Sequence, residues 1–113
     1  MPSCIIEYSK GVRDLIAPRS IVESVHLSAI QSALFSTKDI KTRASICKHY
    51  KVGDGNDEFI HVVLSIMPGR TESQKARLSQ TVAENLAELP LTNISITVQV
   101  IEIDASSYTK ILQ

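Results

Sequence analysis

The chain contains no Trp, and its aromatic side chains are three Tyr and two Phe. A core without large rings must be filled by aliphatic residues. Cysteine is scarce as well: Cys4 and Cys47 are the whole supply, with no CxxC and no His pair at ligand spacing. That pattern argues against a structural metal site and predicts free thiols on buried strand faces in a reducing compartment. Neither sign of charge is in excess, with 12 Lys plus Arg against 12 Asp plus Glu, so there is no bulk attraction to nucleic acid or to an acidic membrane. No apolar run approaches the roughly 20 residues needed to cross a bilayer, and the first residues lack the basic flank and apolar stretch of a secretory signal. The expectation is a soluble, cytoplasmic protein. At 113 residues it forms one domain, residues 1–113.

What is present is the same unit written twice, over about residues 2–50 and 58–104. Ser3 to Tyr8 alternates Cys4, Ile6 and Tyr8 against Ser3, Ile5 and Glu7, the period-two pattern of a strand. Gly11 and Pro18 bracket a loop. Ser20 and Glu23 have the spacing of a capping box, and a helix is predicted from there to about Leu34 with Val22, Val25, Ala29, Ile30, Ala33 and Leu34 on one stripe. His26 falls on its polar side. A second strand is expected near Ile40 to Tyr50, and the turn cluster from Gly53 to Asp57 divides the halves.

Phe59 to Met67 is apolar on both faces, as in a central strand. Pro68 and Gly69 stop it. Thr71 and Gln74 form a second capping box ahead of a helix whose stripe is Leu78, Val82, Ala83, Leu86 and Leu89, and Pro90 ends it. A last strand runs from Ile94 to about Ile103, followed by a polar tail. Right-handed crossovers then give an α+β (α/β two-layer) fold: a tandem β-α-β repeat forming a four-stranded mixed sheet with two helices on one face. The other face stays bare and apolar, larger than monomers usually expose, which predicts self-association through it.

Pro2 is the residue with the most chemical potential. A small second residue favours removal of Met1, and the nitrogen of Pro2 then becomes a secondary amine instead of an amide. An α-amino group titrates near 7.7 to 8.0, and burial or a nearby cation lowers it further, toward what general-base catalysis needs. Retention of Met1 would acylate that nitrogen and abolish its basicity.

The opening Pro2-Ser3-Cys4-Ile5-Ile6-Glu7, the run Ile40-Lys41-Thr42-Arg43, Gly53-Asp54-Gly55 followed by Phe59-Ile60-His61-Val62, and Gly69-Arg70 ahead of a capped helix resemble the 5-carboxymethyl-2-hydroxymuconate isomerase branch of the tautomerase superfamily. The resemblance covers nearly all of the chain in order. It implies a homotrimer with the helices outside and the sheets inside. It also implies an isomerase of aromatic-compound catabolism that moves a proton in a small unsaturated hydroxy or keto acid, such as a dicarboxylate, without a cofactor. On this resemblance Pro2 takes the place of the base, and Arg43 and Arg70 that of the arginines that hold carboxylates and polarise the carbonyl. Lys41 stands where relatives carry a further arginine, keeping the charge but losing the planar fork.

His61, in the central strand, reads either as a substrate-contacting acid or as a packed or interface histidine; His49 and Tyr50 are weaker candidates. Two other readings keep the scaffold. One is a hydratase, dehalogenase or decarboxylase using the same amine, and the other is a non-catalytic trimeric binding or signalling module.

Overall fold

A computed structural model describes all residues from 1 to 113. The strands are β1 (Pro2–Ser9), β2 (Lys41–Cys47), β3 (Glu58–Ile66) and β4 (Ile94–Glu102), and the helices are α1 (Pro18–Gln31) and α2 (Glu72–Ala87). Short 3-10 turns occupy Lys10–Asp14, Thr37–Asp39 and Ala105–Ser107. The sheet order is β2-β1-β3-β4. Each strand-helix-strand half closes a parallel pair, β1 with β2 and β3 with β4, and the halves join along an antiparallel β1–β3 seam. The expected four-stranded mixed sheet is therefore the observed one, and no helix is long and apolar enough to cross a membrane.

The core lies between the helices and one sheet face. Cys4, Ile6 and Tyr8 from β1 meet Ile60, Val62 and Leu64 from β3, and Ile21, Val25, Leu78, Val82 and Leu86 cover them from the helices. Each fully buried Ile, Leu or Val among them contributes about 1.5–3 kcal/mol relative to its exposed state. Cys4 is a buried free thiol as expected, while Cys47, also free, is only partly covered.

Three expectations need correction. Ser20 does not cap α1: the helix starts at Pro18 after Ala17, and no side chain bonds its first turn. Pro18 explains the shift, because its fixed φ suits a first helical position and it has no N–H to satisfy there. Ser20 is then already inside the helix. At the other end α1 stops at Gln31, because Ala33 turns left-handed with φ of 59° and takes Leu34 off the helix. His26 is not on the solvent side; its Nδ1 lies 2.7 Å from Thr42 Oγ1 of β2.

The helix-free face is also less apolar than expected. Its cross-strand rows read Lys41–Ser3–Ser65–Ile101, Arg43–Ile5–Val63–Gln99 and Ser45–Glu7–His61–Thr97. An apolar centre at Ile5 and Val63 is thus flanked by charged and hydroxyl side chains. By contrast, the Thr71 capping box is present in both directions, with Gln74 N–H donating to Thr71 Oγ1 at 3.1 Å and Thr71 N–H donating to Gln74 Oε1 at 2.9 Å.

Candidate active site

Pro2 opens β1 and is fully buried, directly across the seam from Ile66. Proline suits this place: it starts the strand, where no ladder donor is required of it. Met1 folds back so that its Sδ lies 3.4 Å from Ser3 Oγ.

Three elements bring charge to this end of the sheet. After β3 the chain turns through Gly69, whose φ of 124° is one that side-chain-bearing residues rarely adopt, and Arg70 returns toward the terminus. Its Nη2 donates to Leu34 O at 2.5 Å, Nη1 makes a longer 3.5 Å contact to Met67 O, and the guanidinium stands 4.9 Å over the Phe35 ring. Arg70 is thereby held in one orientation by carbonyls and a π-face. Lys41 starts β2 beside Ser3, and its Nζ donates to Asp39 O at 3.4 Å. From the far end of the chain, Lys110 Nζ meets Asp39 Oδ1 at 3.0 Å.

The chemical effect appears at the terminal amine. Burial lowers its pKa from the ordinary 8.0; Asp39 opposes this, and Lys110, Lys41 and Arg70 add to it. This amine, that of Met1, is thereby shifted toward its neutral form, because the protonated form is both desolvated and repelled. The nitrogen of Pro2, one residue further along, is a peptide nitrogen while Met1 is in place.

The other sequence candidates lie elsewhere. Arg43 pairs with Ile5 in the ladder and is exposed on the helix-free face, about 10 Å along β1 from Pro2 at the usual strand rise. His61 is further still, opposite Glu7, with its Nδ1 2.6 Å from Thr97 Oγ1. Within one chain, Arg70 and Lys41 thus lie near enough to act electrostatically on the Met1 amine, and Arg43 and His61 are not among the groups that do. Tyr50 is engaged at the opposite end of the sheet, where its hydroxyl donates to Glu58 Oε1 at 2.6 Å. His49 is exposed.

Asp39 and Lys110 carried no signal in the sequence. One sits in a short turn and the other in a polar tail, and only folding brings them together across 71 positions. Two hollows of about 500 Å³ open on the helix side, one between the end of α1 and the start of α2 around Ser32, Thr71 and Arg77, the other around Leu27 and Asn85. Neither is lined by Pro2, Arg43 or Arg70.

Comparison with known proteins follows the same lines. Residues 2–110 match the family described as CHMI, 5-carboxymethyl-2-hydroxymuconate isomerase. Among curated protein sequences none matches significantly. Of solved structures, a 5-carboxymethyl-2-hydroxymuconate delta-isomerase superposes with a TM-score of 0.88 at 20% identity, covering 100% of this chain and 89% of that one. A 5-carboxymethyl-2-hydroxymuconate isomerase from Deinococcus radiodurans R1 gives 0.84 at 19% identity, over 99% and 90%. A fused 4-OT wild-type symmetric trimer gives 0.71 at 13% identity, over 94% and 91%. At these identities the structural likeness is one of fold.

Proposed function

Because the chain belongs to the 5-carboxymethyl-2-hydroxymuconate isomerase family and is an isomerase, we propose that Pro2, freed of Met1, is the base that moves a proton within a small unsaturated hydroxy or keto acid. The observation that carries this reading is the buried Pro2 at the start of β1, beside a Met1 amine whose pKa is lowered by burial and then, against Asp39, by Lys110, Lys41 and Arg70.

The neutral prolyl nitrogen takes the proton of the substrate's enol hydroxyl, and the electron pair left behind spreads along the conjugated chain as a dienolate. Pro2 then returns the same proton to a carbon of that chain, giving the isomeric enone. Arg70, fixed by Leu34 O and Phe35, offers its remaining N–H groups to a substrate carboxylate or to the developing oxyanion. Lys41 adds a point charge beside Ser3. The substrate's own conjugation holds the electrons, so the step as written calls for no cofactor.

Arg43 and His61 join the site only through a second chain, the helix-free faces of three copies meeting inward as a homotrimer. We assign the protein to one tautomerase-type domain acting in the cytoplasm in breakdown of aromatic compounds. Pro2→Ala should lower turnover of a muconate-type dienol by roughly 10²-fold or more, the scale of general-base catalysis. Retention of activity within a few-fold would refute the base, and a single-chain particle in sedimentation would refute the trimer.

A second reading keeps the scaffold without the base. A chain that keeps Met1 has an amide at Pro2 and is a binding module on the same scaffold. Intact mass of the protein purified from its own host separates the two.

A further inference from the structure

We propose that Lys110, returned by the C-terminal segment and held by Asp39, grips the second carboxylate of a dianionic substrate and so sets a preference for dicarboxylates over monocarboxylates. The inference rests on the placement of the site at Pro2 and adds a specificity residue to it.

The tail is built to arrive there. Beyond β4, Ile103 N–H donates to Ile66 O at 2.7 Å, and Ile66 is the ladder partner of Pro2. Asp104 then caps the 3-10 turn at Ala105–Ser107, accepting from Ser106 N–H at 3.0 Å and Ser106 Oγ at 2.7 Å. The turn sends the chain back across the end of the sheet, and Lys110 Nζ lands 3.0 Å from Asp39 Oδ1. Both partners stay open to a ligand, with side chains 39% and 29% exposed.

An exposed ion pair of this kind contributes little to stability. Its position has more consequence. Asp39 holds two lysines with different oxygens, its carbonyl taking Lys41 and its carboxylate taking Lys110. Without Lys110, the Asp39 carboxylate would stand bare beside the terminal amine and repel an anionic substrate. With it, the carboxylate is paired, and the partly exposed ammonium can bridge Asp39 and the incoming carboxylate. At the terminal amine the influence of Lys110 exceeds that of Lys41 or Arg70. A monocarboxylate has one anionic end, which Arg70 can hold; only a dicarboxylate has a second for Lys110.

Binding of trans,trans-muconate and of sorbate, its monocarboxylate counterpart, tests this by calorimetry on the parent, Lys110→Gln and Lys110→Arg, each checked for an unchanged melting temperature. Neither probe carries an enol, so the readout is independent of turnover. Lys110→Gln should weaken muconate binding about tenfold, as expected for a lost charge-assisted hydrogen bond, and weaken sorbate far less, only through the charge left bare on Asp39. Lys110→Arg should restore most of the muconate affinity. Equal loss on both probes, no loss on either, or failure of arginine to restore binding overturns the proposal. The activity of Pro2→Ala tests the base separately, so either assignment can fail alone.

Discussion

The carboxyl of Glu58 fills the space that a side chain on residue 11 would need: a β-carbon at Gly11 would stand within 3.0 Å of it. Glu58 accepts hydrogen bonds there from Ser9 Oγ at 2.8 Å and Tyr50 OH at 2.6 Å, while Phe59 N–H donates to Ser9 Oγ at 2.8 Å. Gly11→Ala must displace that carboxyl and break the knot. A loss of about 1–3 kcal/mol is expected, the usual range for overpacking, measured by urea denaturation. An unchanged midpoint would show that the knot yields freely.

Glu58 also makes stability depend on pH. The Tyr50 hydroxyl, then Ser9 and the Gly11 N–H, hold its carboxyl below the ordinary 4.5 against the opposing effect of burial. A depressed carboxylate stabilises the fold above its unfolded value, and that contribution disappears as pH falls through the folded value. Tyr50→Phe removes the main cause. The variant should be less stable at neutral pH and should lose less on acidification, so its denaturation curves in acid should approach those of the parent.

The pH dependence of turnover has the opposite origin. The base works only when neutral, so kcat/KM should rise with pH through the pKa of the freed Pro2 amine, which burial and the nearby cations should lower as they lower that of Met1. Lys110→Gln removes a cation and should move the limb up; Asp39→Asn removes the anion and should move it down. Shifts in the reverse sense would show that the titrating group is not this amine.

The two capping patterns give a matched pair of tests. Thr71→Ala should cost about 1 kcal/mol, since its hydroxyl caps α2, while Ser20→Ala should be close to neutral, since Ser20 lies within α1 and caps nothing. Equal losses in thermal denaturation would contradict this.

Those two serine and threonine sites also show where the sequence was legible. Periodicity located all four strands, both helices and the Thr71 cap, because apolar alternation and local hydrogen bonding are written in neighbouring residues. The Ser20 pattern misled because Pro18, two residues earlier, had the stronger claim to the helix start. Ala33 carries no glycine-like mark of its left-handed turn, and His26 faces β2 through a partner 16 residues away. Pro2, Arg70 and Lys41 were readable as candidates, and Arg70 and Lys41 lie within electrostatic reach of the Met1 amine. The Ser9–Glu58–Tyr50 knot and the Asp39–Lys110 pair were not, because each joins residues whose neighbours in sequence say nothing of the partner. Of Arg43, the sequence indicated charge, and the ladder placed it on a face where one chain leaves it without company.

The antiparallel seam between the two halves has a last consequence. It sets the start of β1 and the start of β3 at opposite ends of the sheet, related by an approximate half-turn. At the second of these places the backbone nitrogen belongs to Glu58, an ordinary amide donating to Asn93 O at 3.0 Å. The fold thus has two matching corners, and a backbone nitrogen can titrate only at a chain end. A circular permutant opened just before residue 58 would exchange the corners: it would bury the old end in a peptide bond and present its new one amid the carboxylate of Glu58, stripped of Arg70, Lys41 and Lys110.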